Sequence, residues 1–216
     1  MKDYQSEFLD VAIASQALRF GEFTLKSGRV SPYFFNTGLF STGSLLGKVG
    51  RFYARTILDW GLEIDGLFGP SYKGIPLACA TAIALSDLTA RAVPYSFDRK
   101  EIKAHGEGGK VVGAPLKGAI MIIDDVISSG LSISGSISII RESGAQPQAA
   151  LVALDRQERG EQSRQSAIEE TRTRHGLEVR AIVTLADVLD YLERHPPLRT
   201  HTKPIRAYLD RYGASA

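Results

Sequence analysis

The chain has 216 residues, 44% hydrophobic and 23% charged, with a formal net charge of +2. That size supports one domain with a sizeable core, and the near-neutral balance gives no global field for nucleic acid. One cysteine, Cys79, excludes a disulfide framework and a thiolate zinc site.

The opening "MKDYQSEFLD" lacks the apolar core of a signal peptide, and no apolar run approaches the roughly 20 residues that span a bilayer. A cytoplasmic enzyme or binding protein is therefore expected, with no membrane partner. Residues 4–20 place Phe8, Leu9, Ala12, Ile13, Ala17 and Phe20 at helical spacing. "GEFTLKSGRVSPYFFNTG" reads as two short extended pieces around a Lys-Ser-Gly-Arg turn. Residues 42–60 read as a helix, with Leu45, Val49, Phe52, Tyr53, Ile57 and Trp60 on one face and Ser41 or Thr42 as cap.

A regular alternation follows. "IDGLFG" is a strand, "IPLACATAIALSD" a buried helix containing Cys79 as a small core residue, and "RAVPYSF" a strand. "DRKEIKAHGEGGK" is polar and Gly-rich and reads as a loop. "AIMII" is a strand, and "SGLSISGSISIIRESG" holds a helix. That stretch fits helical spacing through Ile133, Ile137 and Ile140, and strand alternation through Ile133, Ile137 and Ile139. Helix is preferred because a parallel sheet needs a crossover after "AIMII". "AALVALD" and "VRAIVTL" are strands, and Thr184 caps the helix "ADVLDYLER". The tail "HPPLRTHTKPIRAYLDRYGASA" reads as a Pro-broken linker and a short amphipathic helix packed on the body, or serving a dimer contact. Apolar runs alternating with helices predict an α/β fold with a mainly parallel sheet flanked by helices.

Ligands in such sheets bind at the carboxyl ends of the strands. One end carries "IDDVISSGLS". Asp124 and Asp125 repel each other and win nothing for packing. They can accept hydrogen bonds from sugar hydroxyls or hold Mg²⁺ through water, and the small loop before a helix N-terminus suits a phosphate. Together these describe a ribose 5-phosphate pocket; a strand whose polar end faces water is the plain alternative. A second end, "GPSYKGIP", holds Lys73 between glycines, which suits an anion, although a lone lysine there reads better as an exposed turn residue. The third, residues 98–110, carries Arg99, Lys100, Lys103, His105 and Lys110 among glycines. It can close over a polyanion, or be a solvated charge run diluted by Glu101 and Glu107. "TGSLLGKVG" imitates a P-loop but has three residues between its glycines and Val49 after the lysine, so a Walker-type nucleotidase is rejected.

"IMIIDDVISSG" resembles the phosphoribosyl-diphosphate motif of type I phosphoribosyltransferases. "LKSGRVSPYFFN", "GPSYKGIPLA", "FDRKEIKAHGEGG" and "ALDRQERG" are similar to its orotate-using branch, from about Phe8 to about Tyr191. The resemblance implies the type I fold in a single domain over 1–216, with a small hood from about the first 40 residues and a mobile catalytic loop. It implies Mg²⁺-dependent transfer of ribose 5-phosphate from phosphoribosyl diphosphate to orotate, in UMP biosynthesis. Asp124 and Asp125 would bind the ribose hydroxyls, with Mg²⁺ held through substrate and water. Val126, Ile127, Ser128, Ser129, Gly130, Leu131 and Ser132 would form the 5-phosphate loop. Tyr72, Lys73 and Lys26 would meet the diphosphate. Phe34, Phe35 and Ser128 would line the orotate site, and Arg156 would pair with its carboxylate. Arg99, Lys100, Lys103 and His105 would belong to a loop, 99–110, shared between the subunits of a homodimer. Lys26, Lys73, Lys103 and Asp125 would be the catalytic set.

The chemistry of the residues agrees. A guanidinium fork suits a carboxylate, and aromatic rings suit a planar base. The family pattern Thr-Ala-Gly-Thr is Ser128-Ser129-Gly130-Leu131 here, so Leu131 brings no hydroxyl to the phosphate, and Ser129 or Ser132 would have to compensate. A purine phosphoribosyltransferase would share the acid pair but give no reason for Arg156 or "SPYFF". A non-catalytic sensor would carry an added nucleic-acid-binding element, and neither a helix-turn-helix before residue 20 nor a basic arm is visible in the sequence.

Overall fold

The computed structural model describes residues 1–25, 27–103, 109–127, 130–160 and 164–214, with the backbone alone for residues 100–103 and 109. Helix α1 spans Asp3–Ala14. It stops well short of the residue 20 expected from periodicity, because Gln16 turns into the left-handed region at φ 60°. Phe20, which shared the helical spacing, belongs instead to strand β1, Leu18–Thr24. β1 pairs antiparallel with β2, Val30–Phe35, as the two extended pieces predicted. Helix α2, Gly43–Trp60, starts where Thr42 Oγ1 accepts from Leu45 N–H at 3.2 Å and ends at Gly61, φ 70°.

The main sheet has six strands in the order β5-β4-β3-β6-β7-β8. β3 is Gly66–Gly69, β4 Tyr95–Lys103, β5 Gly109–Gly113, β6 Ala119–Asp124, β7 Gln146–Asp155 and β8 Glu178–Thr184. All neighbours pair in parallel except β4 with β5. Crossovers run through α3 (Gly74–Thr89), α4 (Leu131–Glu142) and α5 (Ala167–His175); α6 (Leu185–Arg194), a 3-10 turn and α7 (Thr202–Tyr212) close the chain.

Period-two alternation sends the strand residues to two cores. Leu67, Met121, Ile123, Leu151 and Ile182 face α1, α2, α3, α6, α7 and the β1–β2 hairpin. Phe68, Ile120, Ile122, Val152 and Val179 face α4 and α5. Ile133, Ile137 and Ile140 are buried and Ile139 is only half-buried, so α4 follows the helical alternative. α7 packs through Ile205 and Tyr208, in agreement with an amphipathic C-terminal helix on the body.

Three further readings are corrected. The polar stretch 98–110 is not all loop: β4 continues to Lys103, and Asp98 pairs with Val111 and Lys103 with Gly109. Helix α5 was not expected. Cys79 is half-buried and not fully inside the core.

Candidate active site

Strand β6 ends in the acid pair, at the carboxyl edge of the parallel sheet. Asp124 and Asp125 are 6% and 8% exposed. Buried carboxylates need donors, and local structure supplies several. Asp125 N–H donates to Asp124 Oδ1 at 2.9 Å and Val126 N–H to Asp125 Oδ1 at 2.8 Å. Ser132 Oγ, in the first turn of α4, donates to Asp124 Oδ2 at 2.9 Å. Tyr53 Oη, from α2, donates to the Asp124 carbonyl at 2.7 Å. Thr37 Oγ1 donates to Asp125 Oδ2 at 3.4 Å.

The one cation on the pair, among the described side chains, is Lys73, whose Nζ stands 2.7 Å from Asp125 Oδ2. Two glycines bring it there. A Cβ at Gly69 would lie 2.2 Å from the Gly74 carbonyl oxygen, and one at Gly74 would lie 2.8 Å from that of Ile123. The loop between β3 and α3 is therefore folded backbone-to-backbone against the end of β6. Asp98 secures the same loop, accepting from Ser71 N–H at 2.5 Å and from Ser71 Oγ at 3.1 Å.

One ammonium against two carboxylates leaves excess negative charge. Burial, and then the neighbouring charge of Asp125, raise Asp124 from 3.8 to about 6. Burial followed by the two aspartates pushes the Tyr53 phenol well above its ordinary value. A site of this charge suits diol hydroxyls and a divalent cation. Two carboxylates are too few to build an octahedral shell, so a divalent cation here would be held through water and substrate oxygens.

Arg156 follows β7. Ala153 N–H donates to the Asp125 carbonyl at 2.9 Å, so Arg156 lies three residues along from the acid pair, on the order of 10 Å in an extended chain. Its guanidinium covers the Tyr33 ring at 5.0 Å and pairs with Glu158 at 2.6 Å. Burial works against its charge, but Tyr33 and Glu158 outweigh this and raise its pKa.

The structure thus brings Asp124, Asp125, Lys73 and Ser132 together, with Arg156 on the neighbouring strand's extension. It divides the two rings expected beside orotate. Phe35 is 8% exposed and packs on Phe8 in the core, whereas Phe34 points to the other face of the hairpin against Phe23. In the 5-phosphate loop, Ile127 sends its side chain into the α4–α5 core, Val126 packs on the other core, and Leu131 is 74% exposed. Gly130 precedes α4 at φ 68°. Ser132 spends its proton on Asp124 and so does not present it to a phosphate. Tyr72 is exposed beside Lys73, and Arg99 is half-buried in β4. Lys26, His105, Ser128 and Ser129 lie outside the described residues, as do the side chains of Lys100 and Lys103. Thr37, Tyr53, Asp98 and Glu158 were missed by sequence reading. Asp98 opens the stretch that reads as a polar loop and Glu158 lies in "ALDRQERG", but neither takes a role from the sequence, and Tyr53 reads as part of the apolar face of its helix.

Residues 39–181 match the family model of the phosphoribosyl transferase domain. A curated orotate phosphoribosyltransferase from Yersinia pestis (strain Pestoides F) is 53% identical over 215 residues, covering 100% of each chain. The chain belongs to the orotate phosphoribosyltransferase family. It is accordingly a phosphoribosyltransferase of pyrimidine biosynthesis. The crystal structure of the Francisella tularensis orotate phosphoribosyltransferase superposes with TM-score 0.86 at 36% identity, covering 96% of this chain and 99% of that one. A UMP synthase from Leishmania donovani matches at TM-score 0.73 and 26% identity, over 96% of this chain and 42% of that one. The likeness to these type I structures accounts for the mainly parallel sheet flanked by helices. Among the described residues no helix is long and apolar enough to cross a membrane.

Proposed function

We propose that this chain transfers the 5-phosphoribosyl group of 5-phospho-α-D-ribose 1-diphosphate to orotate with Mg²⁺, giving orotidine 5'-phosphate and diphosphate. The observation that carries the residue assignment is the buried Asp124–Asp125 pair at the end of β6 with Lys73 at 2.7 Å.

In this reading Asp124 and Asp125 accept hydrogen bonds from the two ribose hydroxyls, displacing Ser132 and Lys73 from them. Lys73, released toward the anion, joins Tyr72 and Lys26 on the diphosphate. The 126–132 segment, through Ser128, Ser129 and the backbone before α4, takes the 5-phosphate. Asp124 and Asp125, through water and substrate, would hold Mg²⁺, which would supply charge neutralisation for the departing diphosphate. The C1–oxygen bond breaks with its electron pair leaving on diphosphate, an orotate ring nitrogen forms the new bond to C1, and the proton of that ring nitrogen passes to the diphosphate. Phe34 offers an aromatic surface near the base, and Arg156 pairs with the orotate carboxylate. Arg99, Lys100, Lys103 and His105 close over the site and keep water from the cationic centre.

The working unit is proposed as a cytoplasmic homodimer that shares segment 99–110 between subunits. Each chain is one domain whose hood is the β1–β2 hairpin with its flanks. The test is an assay with phosphoribosyl diphosphate, Mg²⁺ and, separately, orotate, uracil, hypoxanthine and adenine. Turnover with orotate alone is expected; turnover with a purine and not orotate overturns the reading.

A further inference from the structure

Glu158 has no role in the reaction as described, yet it is the most heavily bonded side chain beside Arg156. Its side chain is 12% exposed. Oε1 accepts from Arg156 Nε at 2.9 Å, from Arg156 Nη2 at 2.6 Å and from Tyr33 Oη at 2.8 Å. Arg29 Nη1 lies 4.0 Å from Oε2. Two guanidinium groups share one carboxylate, so the cluster keeps a single positive charge.

The geometry divides the Arg156 fork. Its Nε–Nη2 edge is committed to Glu158 and one face lies over the Tyr33 ring. Among the described residues, Nη1 has no hydrogen-bond partner. The remaining Nη1–Nη2 edge has the donor spacing of a second carboxylate site. Without Glu158, Arg29 and Arg156 would repel each other and Arg156 would lose the contact that sets its rotation. The Glu158 backbone is itself fixed by the chain's C-terminal residues. It bridges to Gly213, while Arg159 N–H donates to the Tyr212 carbonyl and Ala214 N–H to that of Gln157, both at 2.9 Å. Tyr33 is supported edge-on by Tyr208 of α7, with ring centroids 6.2 Å apart.

We propose that Glu158 is a positioning residue for recognition of the base's carboxylate, its favourable effect exerted through the orientation of Arg156. The proposal rests on the assignment of Arg156 to that carboxylate. Glu158 has two opposed effects: it orients the guanidinium, and its own charge repels an incoming carboxylate. Orientation outweighs repulsion here, because the charge already faces two cations.

Two substitutions separate these effects. Glu158→Ala removes both; Glu158→Gln keeps an acceptor oxygen for Arg156 and Tyr33 but no charge. Orotate and phosphoribosyl diphosphate binding should be measured by calorimetry, and orotate KM and kcat by assay, on folded protein verified by circular dichroism. Glu158→Ala should weaken orotate on the order of ten- to a hundredfold, as misplacing one positioning group does. Phosphoribosyl diphosphate affinity should stay within twofold. Glu158→Gln should recover orotate binding to within about fivefold of wild type, the difference between a charged and a neutral hydrogen bond. Arg156→Ala should lose orotate binding, and adding Glu158→Ala to it should cost nothing more. Tighter orotate binding in either Glu158 variant would overturn the proposal, as would equal loss of both substrates or additive losses in the double variant. If Arg156→Ala leaves orotate binding intact, the assignment of Arg156 fails and this inference with it. If Arg156→Ala loses orotate but Glu158→Ala does not, only this inference fails.

Discussion

Lys73 neutralises Asp125 across 2.7 Å, and this leaves Asp124 as the carboxylate whose charge is disfavoured. Its pKa of about 6, against the ordinary 3.8, follows from burial first and from Asp125 second. The folded protein therefore holds this proton more tightly than the unfolded chain does. The stability it contributes is complete below 3.8 and is lost as pH rises through about 6. The shift of about two units sets an upper bound of about 3 kcal/mol. Asp124→Asn removes the buried charge and should raise the melting temperature of the ligand-free protein at pH 8 more than at pH 5, while removing activity. An equal effect at the two pH values would show that Asp124 keeps its charge throughout. The ribose-binding role requires the ionised form, so phosphoribosyl diphosphate affinity should fall as pH drops below about 6.

Asp98 joins the start of the cationic segment to the loop that carries Tyr72 and Lys73. Asp98→Ala deprives Ser71 N–H and Oγ of their acceptors. Losing charge-assisted bonds of about 1.5–3 kcal/mol should lower kcat/KM for phosphoribosyl diphosphate roughly ten- to a hundredfold. Asp98→Asn retains an acceptor for Ser71 N–H and should recover most of it. Steady-state kinetics at saturating orotate distinguish the two. Equal, wild-type values in both variants would show that Ser71 finds its own partners.

The main sheet and the acid pair were legible because they depend on strong local patterns. Apolar runs mark β3, β6, β7 and β8, and a carboxylate pair closing such a run has few structural uses. The end of α1 was not, since Phe20 satisfies helical spacing and strand alternation alike, and only the backbone of Gln16 decides. α5 exposes Arg172, Thr173 and Arg174 and buries only Ile168 and Thr171, so its periodicity is faint. Its capping box, Ser166 with Glu169, was the available signal. β4 continues as Asp-Arg-Lys-Glu-Ile-Lys, and this polar sequence erases the apolar mark of a strand, while β5 has Val111 and Val112 as its only apolar side chains between its glycines. Adjacency in β2 requires Phe34 and Phe35 to face opposite sides, but not which side meets the core. Asp98 acts through Ser71, 27 residues away, so no local motif exposes it. Glu158 meets Tyr33 across 125 residues, and its contact with Arg156, two residues away, has no recognisable sequence motif.

Leu131 occupies the first helical position of α4 with 74% of its surface exposed, so replacing it removes no packing. Leu131 brings no hydroxyl to the phosphate loop, and in the ligand-free protein Ser132 is engaged with Asp124. Leu131→Thr should tighten phosphoribosyl diphosphate by one neutral hydrogen bond, about 0.5–1.5 kcal/mol. Calorimetry with and without Mg²⁺ measures this directly. An unchanged dissociation constant would mean that Ser128, Ser129 and the backbone already satisfy the phosphate.

The last prediction concerns the division of labour between subunits. Asp98 is tied to the diphosphate loop of its own chain, and Lys103 lies five residues farther along β4, roughly 15 Å away at the rise of an extended strand. That separation supports the proposed role of Lys103 in the partner's site of the proposed homodimer, with Asp125 assigned to its own. Lys103→Ala and Asp125→Asn proteins should each be nearly inactive alone. After unfolding, equal mixing and refolding, about half the dimers are mixed. In each mixed dimer, the site with intact Asp125 meets the intact Lys103 of the other chain, while the second site carries both defects. About a quarter of wild-type activity should therefore return. If Lys103 acted in its own subunit, every site in the mixed dimer would carry one defect and no activity would return. Mass spectrometry of the refolded mixture establishes that mixed dimers are present, so that absence of recovery reads on the geometry and not on failed exchange.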